Sequence, residues 1–169
     1  MEWIGISGSW RTINSNVETN VRYIIRDIFG KGNGIINGGA LGVDYISNDE
    51  ALKIDSSASK IKVFLPTSLE IYLKHYKKRA KEGVITNNQA EMLISQLEQI
   101  VRKNPEALIE NSYNKIVDKS SYYERNLEVV KASDRLFAFH VNNTSGTQDT
   151  IDKAEKKGIP VIVFKYNIK

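Results

Sequence analysis

Hydrophobic positions along this chain follow two periods in turn. Short apolar runs, rich in branched and aromatic residues, stand at Trp3–Ser7, Ile35–Ile36, Ile61–Leu65, Arg135–Val141 and Val161–Phe164. They have the length and composition of buried strands. Between them the spacing changes to that of helices. Val21, Ile24, Ile25 and Ile28 mark one face of a first helix, with Asn14, Ser15 or Asn16 as its cap and Gly30–Gly34 as its stop. Further helices are predicted over Val43–Ile54, Leu69–Lys81, Gln89–Lys103, Tyr122–Ser133 (capped by Ser120 and Ser121) and Gln148–Lys157.

Strands that alternate with helices argue for a parallel sheet covered on both faces. The expected architecture is α/β, a Rossmann-like three-layer fold in one domain over residues 1–169. Its sheet is mainly parallel, with strand order 3-2-1-4-5. A helical insertion, about 68–120, separates the third strand from the fourth and packs beside the sheet or caps its edge. Around Ile116 and Val117 the pattern fits strand and loop equally.

Composition narrows the chemistry. The chain has 169 residues, 41% hydrophobic and 26% charged, as in an ordinary globular protein. It has no cysteine and only two histidines, His75 and His140, so neither a thiolate nor an imidazole metal site is expected, and no cofactor is called for. No apolar run reaches the roughly 18 residues of a membrane span, and nothing like a signal peptide precedes the first strand. A cytoplasmic protein without a membrane partner is the expectation. The net charge of +4 is a weak pointer to an anionic partner. One stretch concentrates it: Lys74, His75, Lys77, Lys78, Arg79 and Lys81.

Three turns carry the candidate site. Each follows a predicted strand and leads into a helix: Gly8-Ser9-Trp10-Arg11, Gly38-Gly39-Ala40-Leu41-Gly42, and Thr144-Ser145-Gly146-Thr147. Such turns present backbone N–H groups at a helix start, where they hold an anion. In an open parallel sheet, ligands settle beyond the C-terminal strand ends where the strand order reverses, here between the first and fourth strands. The candidate ligand-binding residues are Gly8, Ser9, Arg11, Gly38, Gly39, Ala40, Gly42, Asp44, Arg125, Ser145, Gly146 and Thr147. Arg125 would bind an anion, and Glu124 would act on a sugar hydroxyl or as a base. Asp44 also has a plain role, because a carboxylate in a first helical turn is stabilising by itself.

The stretch GGALGVDYISNDEAL resembles the glycine turn and following helix of the DNA-processing protein A family, usually SGGARGID. The segment ERNLEVVKASDRLFAFHVNNTSGTQDTIDKAEKKGIPVIVF is similar to that family's Arg-Asn helix, strand, Ser-Gly-Thr turn, helix and last strand, which adds Asn126 to the candidate set. The resemblance places the chain in the SLOG group of Rossmann-like domains, which also holds the cytokinin-activating phosphoribohydrolases. It implies nucleotide or nucleotide-derived ligands and, by analogy, a homodimer. Two departures stand out: Asn48 replaces the family's helix histidine, and Thr150 stands where the phosphoribohydrolases carry a glutamate.

Three functions follow as expectations. The leading one is binding of a nucleotide or nucleotide-derived phosphate ligand. A second is N-glycosidase action on nucleoside monophosphates, with Glu124 or Asp44 as the catalytic carboxylate near the anomeric carbon. A third is binding of single-stranded nucleic acid, which needs a basic groove with stacking aromatics such as Tyr72, Tyr76, Tyr122 or Tyr123.

Overall fold

A computed structural model describes all 169 residues. Strands β1 (Trp3–Gly8), β2 (Gly34–Asn37), β3 (Ile61–Phe64), β4 (Leu108–Ile109), β5 (Arg135–Val141) and β6 (Val161–Tyr166) form one sheet in the order β4-β3-β2-β1-β5-β6. Every pairing is parallel. The expected order is present in its five long strands. The difference is β4, two residues of the 68–120 region that add a ladder outside β3 through Val63–Leu108 and Phe64–Ile109. So short a strand carries no periodic signal of its own.

Six α-helices cover the sheet: α1 (Ser15–Gly30), α2 (Val43–Ile54), α3 (Leu69–Lys81), α4 (Asn87–Lys103), α5 (Lys119–Ala132) and α6 (Ser145–Lys157). Asn14 caps α1, its side chain accepting from the Val17 N–H at 2.9 Å, and the helix buries Val17, Val21, Ile25 and Ile28. Capping sets two boundaries that apolar spacing misses. Thr86 and Gln89 form a reciprocal cap that starts α4 at Asn87. Asp118 and Ser121 do the same for α5, so the cap is Asp118 rather than Ser120 or Ser121.

The 68–120 region is part of the core and not an appendage. Tyr72, Tyr76, Leu93, Leu97 and Ile100 are buried in the same cluster as Ile4, Ile35, Ile61 and Val63. Tyr72 also donates from its hydroxyl to the Gly39 carbonyl at 3.0 Å, which ties α3 to the turn after β2. Helix α2 buries polar residues, Asp44, Ser47, Asn48 and Glu50, along with its apolar ones. Its Glu50, 5% exposed, is held by Arg22 at 3.0 Å and Arg26 at 3.1 Å, both from α1. No helix is long and apolar enough to cross a membrane.

Candidate functional site

At the C-terminal ends of β1, β2 and β5 the three turns border one cavity of about 690 Å³, a size that suits a nucleotide. Gly8, Ser9 and Arg11 line it from the first turn, Gly38 and Ala40 from the second, and Ser145, Gly146 and Thr147 from the third. Helix α5 contributes Lys119, Tyr122, Tyr123, Arg125 and Asn126. Helix α3 closes the far side with His75, Tyr76 and Arg79.

The start of α6 is open. This helix begins at Ser145, three residues before the apolar spacing places it, so Ser145, Gly146 and Thr147 form its first turn. Thr144 is its N-cap residue but supplies no side-chain cap, and its hydroxyl bonds instead to that of Thr147 at 3.2 Å. First-turn amides have no acceptor within their own helix, and these three find none in a capping side chain. The turn is held from below: the His140 ring nitrogen Nε2 lies 3.2 Å from the Thr144 carbonyl. Asn142 and Asn143 make the bend with φ of 51° and 52°, a left-handed conformation that asparagine tolerates.

The turn after β2 is arranged differently from the expectation that its amides grip a ligand. The Gly38 and Ala40 N–H groups donate to Asp44 Oδ2 at 3.3 and 3.2 Å. The Gly39 N–H donates to Asn37 Oδ1 at 2.9 Å, and Asn37 is itself paired with Asn48. A carboxylate of the protein therefore occupies the anion-binding position, and Gly39 lies outside the cavity lining. Gly42 also serves packing. With φ of 72° at the start of α2, any side chain there would come within 2.8 Å of the Trp10 Cα and overlap the Ser9 carbonyl.

Asp44 is 7% exposed, yet it borders the cavity. Burial pushes its pKa up to about 6, against the opposing pull of the Arg125 charge and of its two amide partners. Arg125 lies flat on Gly38, where a Cβ would overlap the guanidinium, and it donates from Nη1 to the Gly38 carbonyl. Its Nε reaches Asn126 Oδ1 at 3.2 Å. Asn126 in turn donates to Asp149 at 3.1 Å, anchoring α5 to α6.

Glu124 does not join this group. It accepts from Asn114 Nδ2 at 2.6 Å and faces solvent, outside the cavity lining. Helical geometry explains why: Tyr122, Arg125, Asn126 and Val129 share the inward face of α5, and position 124 points away. The basic stretch from Lys74 to Lys81 is also split by its helix. His75 and Arg79 face the cavity, whereas Lys74 pairs with Glu70 at 2.9 Å and Lys78 lies 3.7 Å from Glu82. Lys119 carries no site signal in the sequence; its place in the lining depends on Asp118 starting α5.

The resulting lining is cationic and aromatic. Arg11, Arg79, Lys119 and Arg125 face a single carboxylate, that of Asp44. Arg79 is paired with Glu82 at 2.9 Å, while the other three cations enter no ion pair. Arg11 lies 4.7 Å over the Trp10 ring, and Lys119 and Lys153 lie 5.3 and 5.0 Å from the Tyr123 ring centroid. Burial and the neighbouring Arg79 and Lys78 hold the His75 pKa below its usual value, so His75 adds little charge at neutral pH.

Fold and site together define a Rossmann-like domain with a cationic, aromatic cavity at its topological switch point. The whole chain, residues 1–169, matches the family DNA recombination-mediator protein A, and it belongs to that family. Comparison with the curated proteins gives no match. Among solved structures, DNA processing protein A from Helicobacter pylori, described for its single-stranded DNA binding mode, is similar at 22% identity and a TM-score of 0.70. The match covers 96% of this chain and 64% of that one. DNA processing protein A from Streptococcus pneumoniae is similar at 15% identity and a TM-score of 0.65, over 96% of this chain and 50% of that one. The chain thus spans less than two thirds of either protein. The molybdenum cofactor binding protein from Rippkaea orientalis shares the fold at 18% identity and a TM-score of 0.62, over 98% and 77% of the two chains.

Proposed function

We propose that this protein binds single-stranded DNA by seating one nucleotide of the strand in the cavity. Its phosphate would rest on the open first turn of α6 and its base against Trp10 and the tyrosines of α5. The observation that carries this reading is the uncapped α6 start sharing one nucleotide-sized cavity with three cations that enter no ion pair. Main-chain amides and cations recognise phosphate without reading sequence. Exposed Trp10 and half-buried Tyr123 at the cavity wall supply the stacking surfaces that strand binding uses. The strand binding described for the Helicobacter pylori protein supports the same reading. A free nucleoside monophosphate would fit the same seat more weakly, as one unit of the strand.

Salt dependence tests this. Titrating a fluorescent oligothymidylate against increasing salt should give a log–log slope of about −2, for roughly three neutralised phosphates. Affinity independent of ionic strength would contradict it. Thymidine monophosphate should compete and thymidine should not.

The buried Asp44 favours a second reading, cleavage of an N-glycosidic bond. A carboxyl group whose pKa is about 6 can move a proton near neutral pH, and this one borders the cavity. Nucleoside monophosphates incubated with the protein would release free base; unchanged substrate across all bases discards this reading.

A further inference from the structure

We infer that Asp44 and Arg125 together read the Watson–Crick edge of the seated base, so that the site takes only a base with no pairing partner. The inference deepens the proposed strand binding and rests on it. Both side chains are fixed to one residue: Asp44 Oδ2 accepts from the Gly38 N–H, and Arg125 Nη1 donates to the Gly38 carbonyl. Yet they form no ion pair with each other. Asp44 Oδ1 has no partner within the protein although the residue is only 7% exposed, and Arg125 Nη2 has none either. Both residues line the cavity. The site therefore presents an unused acceptor and an unused donor, anchored on the two ends of Gly38.

An acceptor beside a donor matches one feature common to all four bases. Thymine offers N3–H beside O4, and guanine N1–H beside O6. Adenine offers its amino group beside N1, and cytosine its amino group beside N3. Each pairs a donor with an adjacent acceptor on the edge that faces the opposite strand in a duplex. A carboxylate and a guanidinium can meet any of these after a small shift or turn of the base. Bonds to charged groups are the stronger kind and their loss is correspondingly large. The pair thus tolerates every base identity while rejecting a paired base, whose edge is already in use. The other groups around the cavity are arranged otherwise: the α6 amides and Lys119 suit phosphate, and Trp10 and Tyr123 offer ring faces.

The test changes the ligand, so that it does not depend on a variant that folds. An oligothymidylate of about twelve nucleotides is compared with the same oligomer built from N3-methylthymidine. The methyl group replaces the N3 proton and leaves the phosphates, sugars and stacking faces intact. Binding is read by fluorescence anisotropy at low salt. The methylated oligomer should bind at least about tenfold more weakly, the loss of one hydrogen bond to a charged group. Asp44→Ala should weaken the unmodified oligomer and leave the methylated one nearly unchanged. Equal affinity of the wild-type protein for both oligomers overturns the edge reading and leaves the phosphate seat standing. If neither oligomer binds, the phosphate seat is overturned as well.

Discussion

Arg125→Ala is expected to weaken oligothymidylate binding by roughly thirty- to a hundredfold, or about 2–3 kcal/mol. Arg125 is the one cavity cation held by two protein hydrogen bonds, to the Gly38 carbonyl and to Asn126 Oδ1, while part of its guanidinium stays open to a ligand. Its orientation is therefore set before binding, and little entropy is lost when a ligand arrives. Arg125→Lys should recover only part of the loss, because an ammonium cannot hold the carbonyl, the amide and the ligand in one plane. Gly38→Ala should reproduce most of it from the other side, since the added Cβ would overlap the guanidinium. Helix α5 should survive all three changes, because its start is secured at Asp118 and Ser121. Anisotropy titrations read the affinity, and circular dichroism confirms the helix content. Unaltered affinity in Arg125→Ala would remove this residue from the site.

The second large effect concerns stability and pH. Asp44 is held at about 6 in the folded protein against an ordinary value of 3.8. Well below pH 3.8 the group is protonated in both folded and unfolded chains. As the pH rises from about 4 to about 6 the unfolded chain releases its proton first, so stability falls across that window and levels off above it. The loss amounts to roughly 3 kcal/mol. Asp44→Asn keeps an oxygen for the Gly38 and Ala40 amides and removes the charge. The difference in unfolding free energy between variant and wild type should therefore grow in the variant's favour from pH 4 to pH 6. Asp49 and Asp55, whose pKa values are lowered by their hydrogen-bond partners, act in the opposite sense, but both proteins share them and the difference cancels them. Urea denaturation at several pH values measures it. A pH-independent difference would contradict the burial of a chargeable Asp44. A carboxylate kept at the cavity wall at a cost in stability is a pattern that functional sites commonly show.

Much of the fold could be read from the chain because its strands and helices differ in period. The runs at Trp3, Ile35, Ile61, Arg135 and Val161 are too short for helices, and the segments between them carry apolar stripes of helical spacing. Positions of the three turns followed from the same alternation, and the cavity they border lies where the strand order reverses. What could not be read depends on hydrogen bonds between residues whose meeting no period announces. Asp44 looked like a helix-start carboxylate or a ligand contact; its bonds to Gly38 and Ala40 exist because the turn curls back over α2. That commits the amides of the second turn and leaves those at the start of α6 free.

Glu124 and Arg125 show how little separates inside from outside. One step along a helix turns a side chain by about 100°, and only the neighbours that bury Tyr122 and Asn126 decide which of the two faces the cavity. The early start of α6 was hidden for a related reason. Ser145, Gly146 and Thr147 are poor helix formers by composition, and they are helical here as the first turn on a bend made by Asn142 and Asn143. Helix α3 was legible as a helix and as a basic one. Its bond from Tyr72 to Gly39, and so its place as the cavity's far wall, was not.

If the open turn of α6 holds the phosphate of a nucleotide as proposed, its free amides are the groups that must respond to the ligand. Backbone NMR with thymidine monophosphate as titrant addresses that proposal most directly. The largest shifts are expected at the amides of Ser145, Gly146 and Thr147, with the Arg125 Nε–H moving at the same ligand concentration. Amides of Gly38 and Ala40, already committed to Asp44, should move less. Shifts confined to the outer face of α3 around Lys77 and Lys81, with the α6 amides unmoved, would contradict it.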